Sequence, residues 1–249
     1  MMRTRVPRGF SLVEISLVLV ILGILLSAAT VPLASLEGQR RERRVQADLV
    51  SIRDALIARL ISHEALPCPI GRVTVGARVP AASAGQASTV AVSGRCATFR
   101  GGVPAATLSV AGAMDATGAL LDPWGRAYRF ALSDTDADGH GTAGLPDWSA
   151  PGESGEVGIQ HLRGSLSVCE RAVARCPREA LRANDLVFVV LSHGADAGAT
   201  GLQRPNLAPS GSFTLAPRSD VPDLQFDDVL TWASRSELTW WLLRAGRLP

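Results

Sequence analysis

The 249-residue chain has no lysine: all 25 of its basic side chains are arginine, set against 23 acids. That absence reads as compositional bias, yet it leaves no Gly-x-x-x-x-Gly-Lys loop to cradle a phosphate. A His-Glu-x-x-His metal pair and a Gly-x-Ser-x-Gly nucleophile turn are missing as well. Histidine is scarce, at His63, His140, His161 and His193 alone. Ser192-His193 could pass for a nucleophile beside its base, but neighbours on a strand point to opposite faces and cannot pair on one side. Ser192, His193 and Gly194 read instead as a turn that ends a strand. The expectation is a protein without catalytic activity.

Charge of either sign is absent from residues 15–36, a run of 22. As a helix it reaches about 33 Å, enough to cross a bilayer core. Arg3, Arg5 and Arg8 precede it without an acid, and by the positive-inside rule they hold the N-terminal leader in the cytoplasm. The run is too long for the apolar core of a secretory signal, and no strong small-x-small cleavage site follows it. Instead Gly9 stands before the run and an acid, Glu14, just inside it. An ionised carboxylate near hydrocarbon costs about 3 kcal/mol even on mild insertion scales, so Glu14 needs a partner. No arginine lies between Phe10 and Leu36. The apolar segment therefore offers no side-chain cation of its own.

The stretch Gly9-Phe10-Ser11-Leu12-Val13-Glu14, followed by an apolar run, resembles the N-terminus of type IV pilins and type II secretion pseudopilins. The resemblance implies cleavage after Gly9 by a membrane-embedded prepilin peptidase and methylation of the new N-terminus, Phe10. It implies too that Glu14 pairs with a free N-terminal amine during filament assembly. Other pilins or pseudopilins and an inner-membrane assembly platform would be the partners. The protein would be anchored once in the inner membrane with its head in the periplasm, then incorporated in a filament.

Without the three leader arginines the chain keeps 22 arginines against 23 acids, a net charge of −1, which argues against a nucleic-acid surface. The four cysteines, Cys68, Cys96, Cys169 and Cys176, all follow the apolar run, on the oxidising side in this topology. Order and locality pair Cys68 with Cys96 and Cys169 with Cys176. Chain-entropy arithmetic assigns these loops about 3.5 and 2.5 kcal/mol. No two cysteines have Cys-x-x-Cys spacing, which argues against zinc.

Beyond the apolar run, Pro32 is expected to kink the helix rather than end it. Arg40, Arg41, Glu42, Arg43 and Arg44 mark the exit from the membrane. Val45, Leu49, Ile52, Leu56 and Leu60 then recur at spacings of three and four, with Asp48, Arg53, Asp54 and Arg59 largely off that stripe. Leu66-Pro67-Cys68-Pro69 ends the helix. Residues 70–102 form an irregular region tied at its ends by the first disulfide. Asp122-Pro123-Trp124-Gly125 is a turn and 127–132 a strand; with Tyr128, they resemble the major pseudopilin's signature where the head sheet begins. Residues 157–166 and 186–192 read as strands, and the second is apolar throughout, so both its faces should be covered. Between them lies a hairpin-like segment, 169–176. Residues 194–220 read as a polar surface or partner-facing loop. Residues 229–243 read as a strand and helix, with Trp232, Trp240 and Trp241 as packing anchors.

Asp134, Asp136 and Asp138 precede Gly139 at alternate positions and can converge on one hard cation, calcium by preference. Leu145 stands where the closing acid belongs, with Asp147, Glu153 or Glu156 as substitutes; a solvated acidic loop is the equal alternative. More loosely, Asp196 with Asp227 and Asp228 resembles the calcium loop of the major pseudopilin.

The fold expected is α+β: a long N-terminal helix packed on a small antiparallel-sheet head. Residues 1–9 are the leader, 10–36 the transmembrane half of the helix, 37–62 its amphipathic half and 63–249 the head. The function expected is a structural subunit, a minor pilin or pseudopilin of a type II secretion pseudopilus or type IV pilus. The alternative is a tip-located module binding a secreted substrate, DNA or a surface, for which the 194–220 loop is the motive.

Overall fold

The computed structural model describes residues 11–63, 65–71, 96, 98–133, 164–173, 176–197, 200–208 and 210–248, with backbone alone at 25–35. The leader, Gly9 and Phe10 lie outside the described residues, as do Asp134, Asp136 and Asp138 and most of the 157–166 segment. The chain divides into two compact units, Met1–Arg43 and Arg44–Pro249.

One helix, α1 (Leu12–His63), crosses that division and runs unbroken through Pro32. In the first unit it begins at Ser11, whose carbonyl accepts from the amides of Glu14 and Ile15 at 3.0 and 3.2 Å. Glu14 lies in the first turn, where a carboxylate favours the positive end of the helix dipole. The apolar side chains described here are bare: Leu12 is 89% exposed, and Leu17, Leu19 and Ile24 are each more than half exposed. Among the described residues no helix is long and apolar enough to cross a membrane; side chains 25–35 of the uncharged run fall outside that description.

The second unit is built on the other part of α1. Val45, Leu49, Ile52, Leu56 and Leu60 are all buried, none more than 2% exposed, so the stripe read from the sequence is the core face. The helix is over before Leu66-Pro67-Cys68-Pro69, as expected where prolines remove donors and restrict their predecessors. Both disulfides form as paired above, Cys68–Cys96 and Cys169–Cys176.

Six strands make one sheet: β1 (Arg100–Gly102), β2 (Arg129–Leu132), β3 (Leu166–Cys169), β4 (Leu181–Ser192), β5 (Ser212–Thr214) and β6 (Val229–Ser234). The short helix α2 (Ala105–Leu108) follows β1, and α3 (Arg235–Arg244) follows β6. The path is β1-β2-β4-β3-β5, with β6 also paired to β4. The long β4 is the hub. Its end pairs with β2 (Phe130 opposite Val190) and with β6 (Val189 opposite Trp232), and its start pairs with β3. Leu186 to Leu191 are at most 1% exposed. Phe188 and Val190 join the cluster that holds the α1 stripe, Tyr128, Phe130 and α3's Leu238 and Leu242. Val189 and Leu191 join a second cluster with Val168 and Phe213. Both faces are thus covered, as the unbroken apolar run implied.

Several expectations are corrected. The sheet is mixed, because β5 runs parallel to β3. It starts before the Asp122-Pro123-Trp124-Gly125 turn, at β1, which antiparallel pairing ties to β2. The 194–220 segment is no free loop: it contains a 3-10 turn, Gly201–Leu207, and β5 itself. Gln203, Asn206 and Phe213 are buried, so the motive for a partner-facing loop is lost. Polar spacing hid this because Gln203 and Asn206 satisfy hydrogen bonds inside, which periodicity does not register. Trp240 is half exposed rather than an anchor; Trp232 and Trp241 are partly buried against the two clusters.

Candidate functional site

The approach to β2, the end of β4 and the approach to β6 meet at a polar turn. Asp122 opens the chain reversal before β2: its carbonyl accepts from Gly125 N–H at 2.9 Å, and Gly125 has φ +79°. Its buried carboxylate accepts from the amides of Trp124 and Arg126 through Oδ1, each at 2.9 Å, and from Ser192 Oγ through Oδ2 at 2.6 Å. Ser192 therefore belongs to Asp122. His193 turns to another carboxylate, with Nδ1 3.3 Å from Asp228 Oδ1, and its Nε2 is buried without a hydrogen-bond partner. The two neighbours face different partners, as strand alternation requires.

Asp228 Oδ2 accepts from Asn206 Nδ2 at 2.6 Å, and Asn206 also bonds both backbone polar groups of Thr214. This buried pair ties the 3-10 turn to β5 and to the β4 end. Beyond Ser192 the chain turns through Gly194 (φ +62°) and Ala197 (φ +72°). A Cβ on Gly194 would meet the Asp227 carboxylate at 2.3 Å, so glycine serves both the left-handed backbone and the close approach. Asp227 Oδ2 accepts from Ala195 N–H at 2.6 Å. Gln203 bridges the pair of acids, donating to Asp196 Oδ2 and accepting from Asp227 N–H at 2.9 Å. Burial first, and then the hydrogen bond with Asp196, push the Asp227 carboxyl up to about 6. The Arg126 guanidinium donates to the carbonyls of Gly194 and, at 2.8 Å, Ala195.

At the other end of the chain, Glu14 is exposed in the first turn of α1, two residues past Leu12 and its bare apolar neighbours. Residues 5–30, which include Gly9, Phe10 and Glu14, match the family model of the prokaryotic N-terminal methylation motif. The chain carries the prepilin-type signature of type IV pilins and pseudopilins. Neither a curated protein nor a solved structure matches the chain. The prepilin motif implies processing by prepilin peptidase and assembly with other pilins.

The calcium suggested by likeness to a pseudopilin loop meets a poor donor set. Among the described residues no group of three or more His, Cys, Asp or Glu side chains is arranged to hold a metal ion. Asp228 is engaged with His193 and Asn206, and Asp196 accepts from Gln203. Asp227 Oδ1 is buried without a hydrogen-bond partner, but one oxygen falls far short of the roughly six to eight that calcium takes. Arg126, Gln203 and Asn206 were not legible as members of this turn. Arg126 lies 68 residues from Gly194, and nothing in the local pattern marks such a contact.

Proposed function

We propose that the protein is a structural subunit, a minor pilin or pseudopilin, of a type II secretion pseudopilus or a type IV pilus. The observation that carries this reading is the N-terminal methylation motif over residues 5–30, with Glu14 in the first helical turn. Prepilin peptidase cleaves between Gly9 and Phe10, and the Phe10 amine is methylated. Before assembly the chain is held in the inner membrane by residues 10–36, with the 63–249 head in the periplasm. The bare apolar side chains of early α1 support this, since a folded chain leaves so large an apolar surface for lipid or for neighbouring helices. During assembly Glu14 meets the N-terminal amine of an adjacent subunit, a pairing that removes the cost of a lone carboxylate in an apolar setting. The protein has no catalytic role in this reading; Gly9 is a substrate for another enzyme.

Mass spectrometry of the protein recovered from cells tests the reading. The expected N-terminal peptide begins at methylated Phe10. A chain that still begins at Met1, or one trimmed beyond residue 36, would overturn it. Glu14→Ala should insert normally in the membrane yet be recovered poorly from filaments; normal incorporation would remove the charge-pairing step.

A further inference from the structure

Two backbone carbonyls in the turn just past the long central strand point to one cation, and that cation belongs to the chain. We propose that the Arg126 guanidinium is the resident cation of the 193–197 turn and that this turn holds its shape without calcium. Gly194 and Ala197 both take left-handed backbone, and the carbonyls of Gly194 and Ala195 are directed at Arg126. A hard cation such as calcium would be bound by carbonyls of this kind together with carboxylates. Arginine supplies a single positive charge on a planar fork of donors, and stays protonated at any pH the protein meets.

Arg126 is itself held in position. Its backbone amide donates to Asp122 Oδ1, and the same carboxylate takes the Ser192 hydroxyl at the last residue of β4. One buried acid therefore fixes both the arginine that clamps the turn and the strand from which the turn departs. Most nearby carboxylate oxygens already take protein donors: Asp227 Oδ2 the Ala195 amide, Asp196 Oδ2 Gln203, and Asp228 Asn206 and His193, while Asp227 Oδ1 alone of these is buried without a partner. A metal entering here would have to displace the guanidinium and several of these bonds.

Hydrogen–deuterium exchange on the full-length protein in detergent reads the turn itself, apart from any calcium taken by Asp134, Asp136 and Asp138. In the wild type, exchange of the Ala195 amide should be the same in chelator and in millimolar calcium. In Arg126→Gln it should be about tenfold faster or more, since charge-assisted bonds to two carbonyls are gone. Arg126→Lys should recover part of the protection. Slower wild-type exchange at residues 194–197 on adding calcium would overturn the proposal, as would unchanged exchange in Arg126→Gln. The amides of Val189 and Val190 report whether that variant is folded. If they too lose protection, the wild-type comparison with and without calcium decides by itself.

Discussion

Leu56 offers a direct measure of how far α1 belongs to the head's core. The side chain is fully buried in the cluster that also holds Tyr128, Phe130, Phe188 and Leu238. Leu56→Ala loses the transfer free energy of the deleted atoms and leaves a cavity among side chains that β2, β4 and α3 hold in place. Such changes cost about 2–5 kcal/mol. For a unit the size of Arg44–Pro249, each kcal/mol lowers the midpoint by about 2–4 °C. A loss near 3 kcal/mol therefore predicts a fall of roughly 6–12 °C. Val50 is the control: it lies on the same helix but is 56% exposed. Val50→Ala should stay within about 0.5 kcal/mol of the parent, because little burial is lost and alanine is the better helix former. Near-UV circular dichroism of the full-length protein in detergent isolates the head, since the partly buried Trp232 and Trp241 report its packing. Equal midpoints for Leu56→Ala and the parent, or equal losses for the two variants, would refute the assignment of the stripe to the core.

The Asp227 carboxyl, raised from 3.8 to about 6, holds its proton in the folded state where the unfolded chain has lost it. Its contribution is therefore lost as pH rises from about 4 to about 6; the parent should gain stability on acidification through that window relative to Asp227→Asn, measured by urea unfolding at several pH values. Tyr128 is buried, its phenol pushed well above the ordinary range by burial and then by its 2.9 Å bond to Asp48 Oδ2. Tyr128→Phe should cost about 1 kcal/mol, since Asp48 is half-buried and water can reach it; a neutral result in thermal melts would show that the hydrogen bond from Tyr128 to α1 adds nothing. Replacing both Cys68 and Cys96 by serine opens a 28-residue closure and should destabilise the head by about 3.5 kcal/mol on chain-entropy grounds; reduction of the wild type opens the Cys169–Cys176 loop as well and should lower the denaturant midpoint further.

Sequence periodicity was enough for the features that depend on short spacing. The α1 stripe, the end of α1 at the Pro-Cys-Pro segment, the covered β4 run and the β6–α3 closure all follow from neighbours within a turn or a few strand positions. Gly9, Phe10 and Glu14 lie within residues 5–30, the stretch that matches the N-terminal methylation motif. Pairing the cysteines by locality succeeded because each partner was the next in the chain.

What the linear order left open was every relation between distant segments. The parallel β5 and the buried 3-10 turn before it carry the sequence pattern of a polar loop, because Gln203 and Asn206 are buried through hydrogen bonds rather than apolar surface. Arg126, Gly194 and Asp227 come together only when β2, β4 and β6 align side by side. Local propensity decides which residues form a helix or strand; a carboxylate's or an arginine's partner depends on long-range register, and the folded sheet alone sets that register.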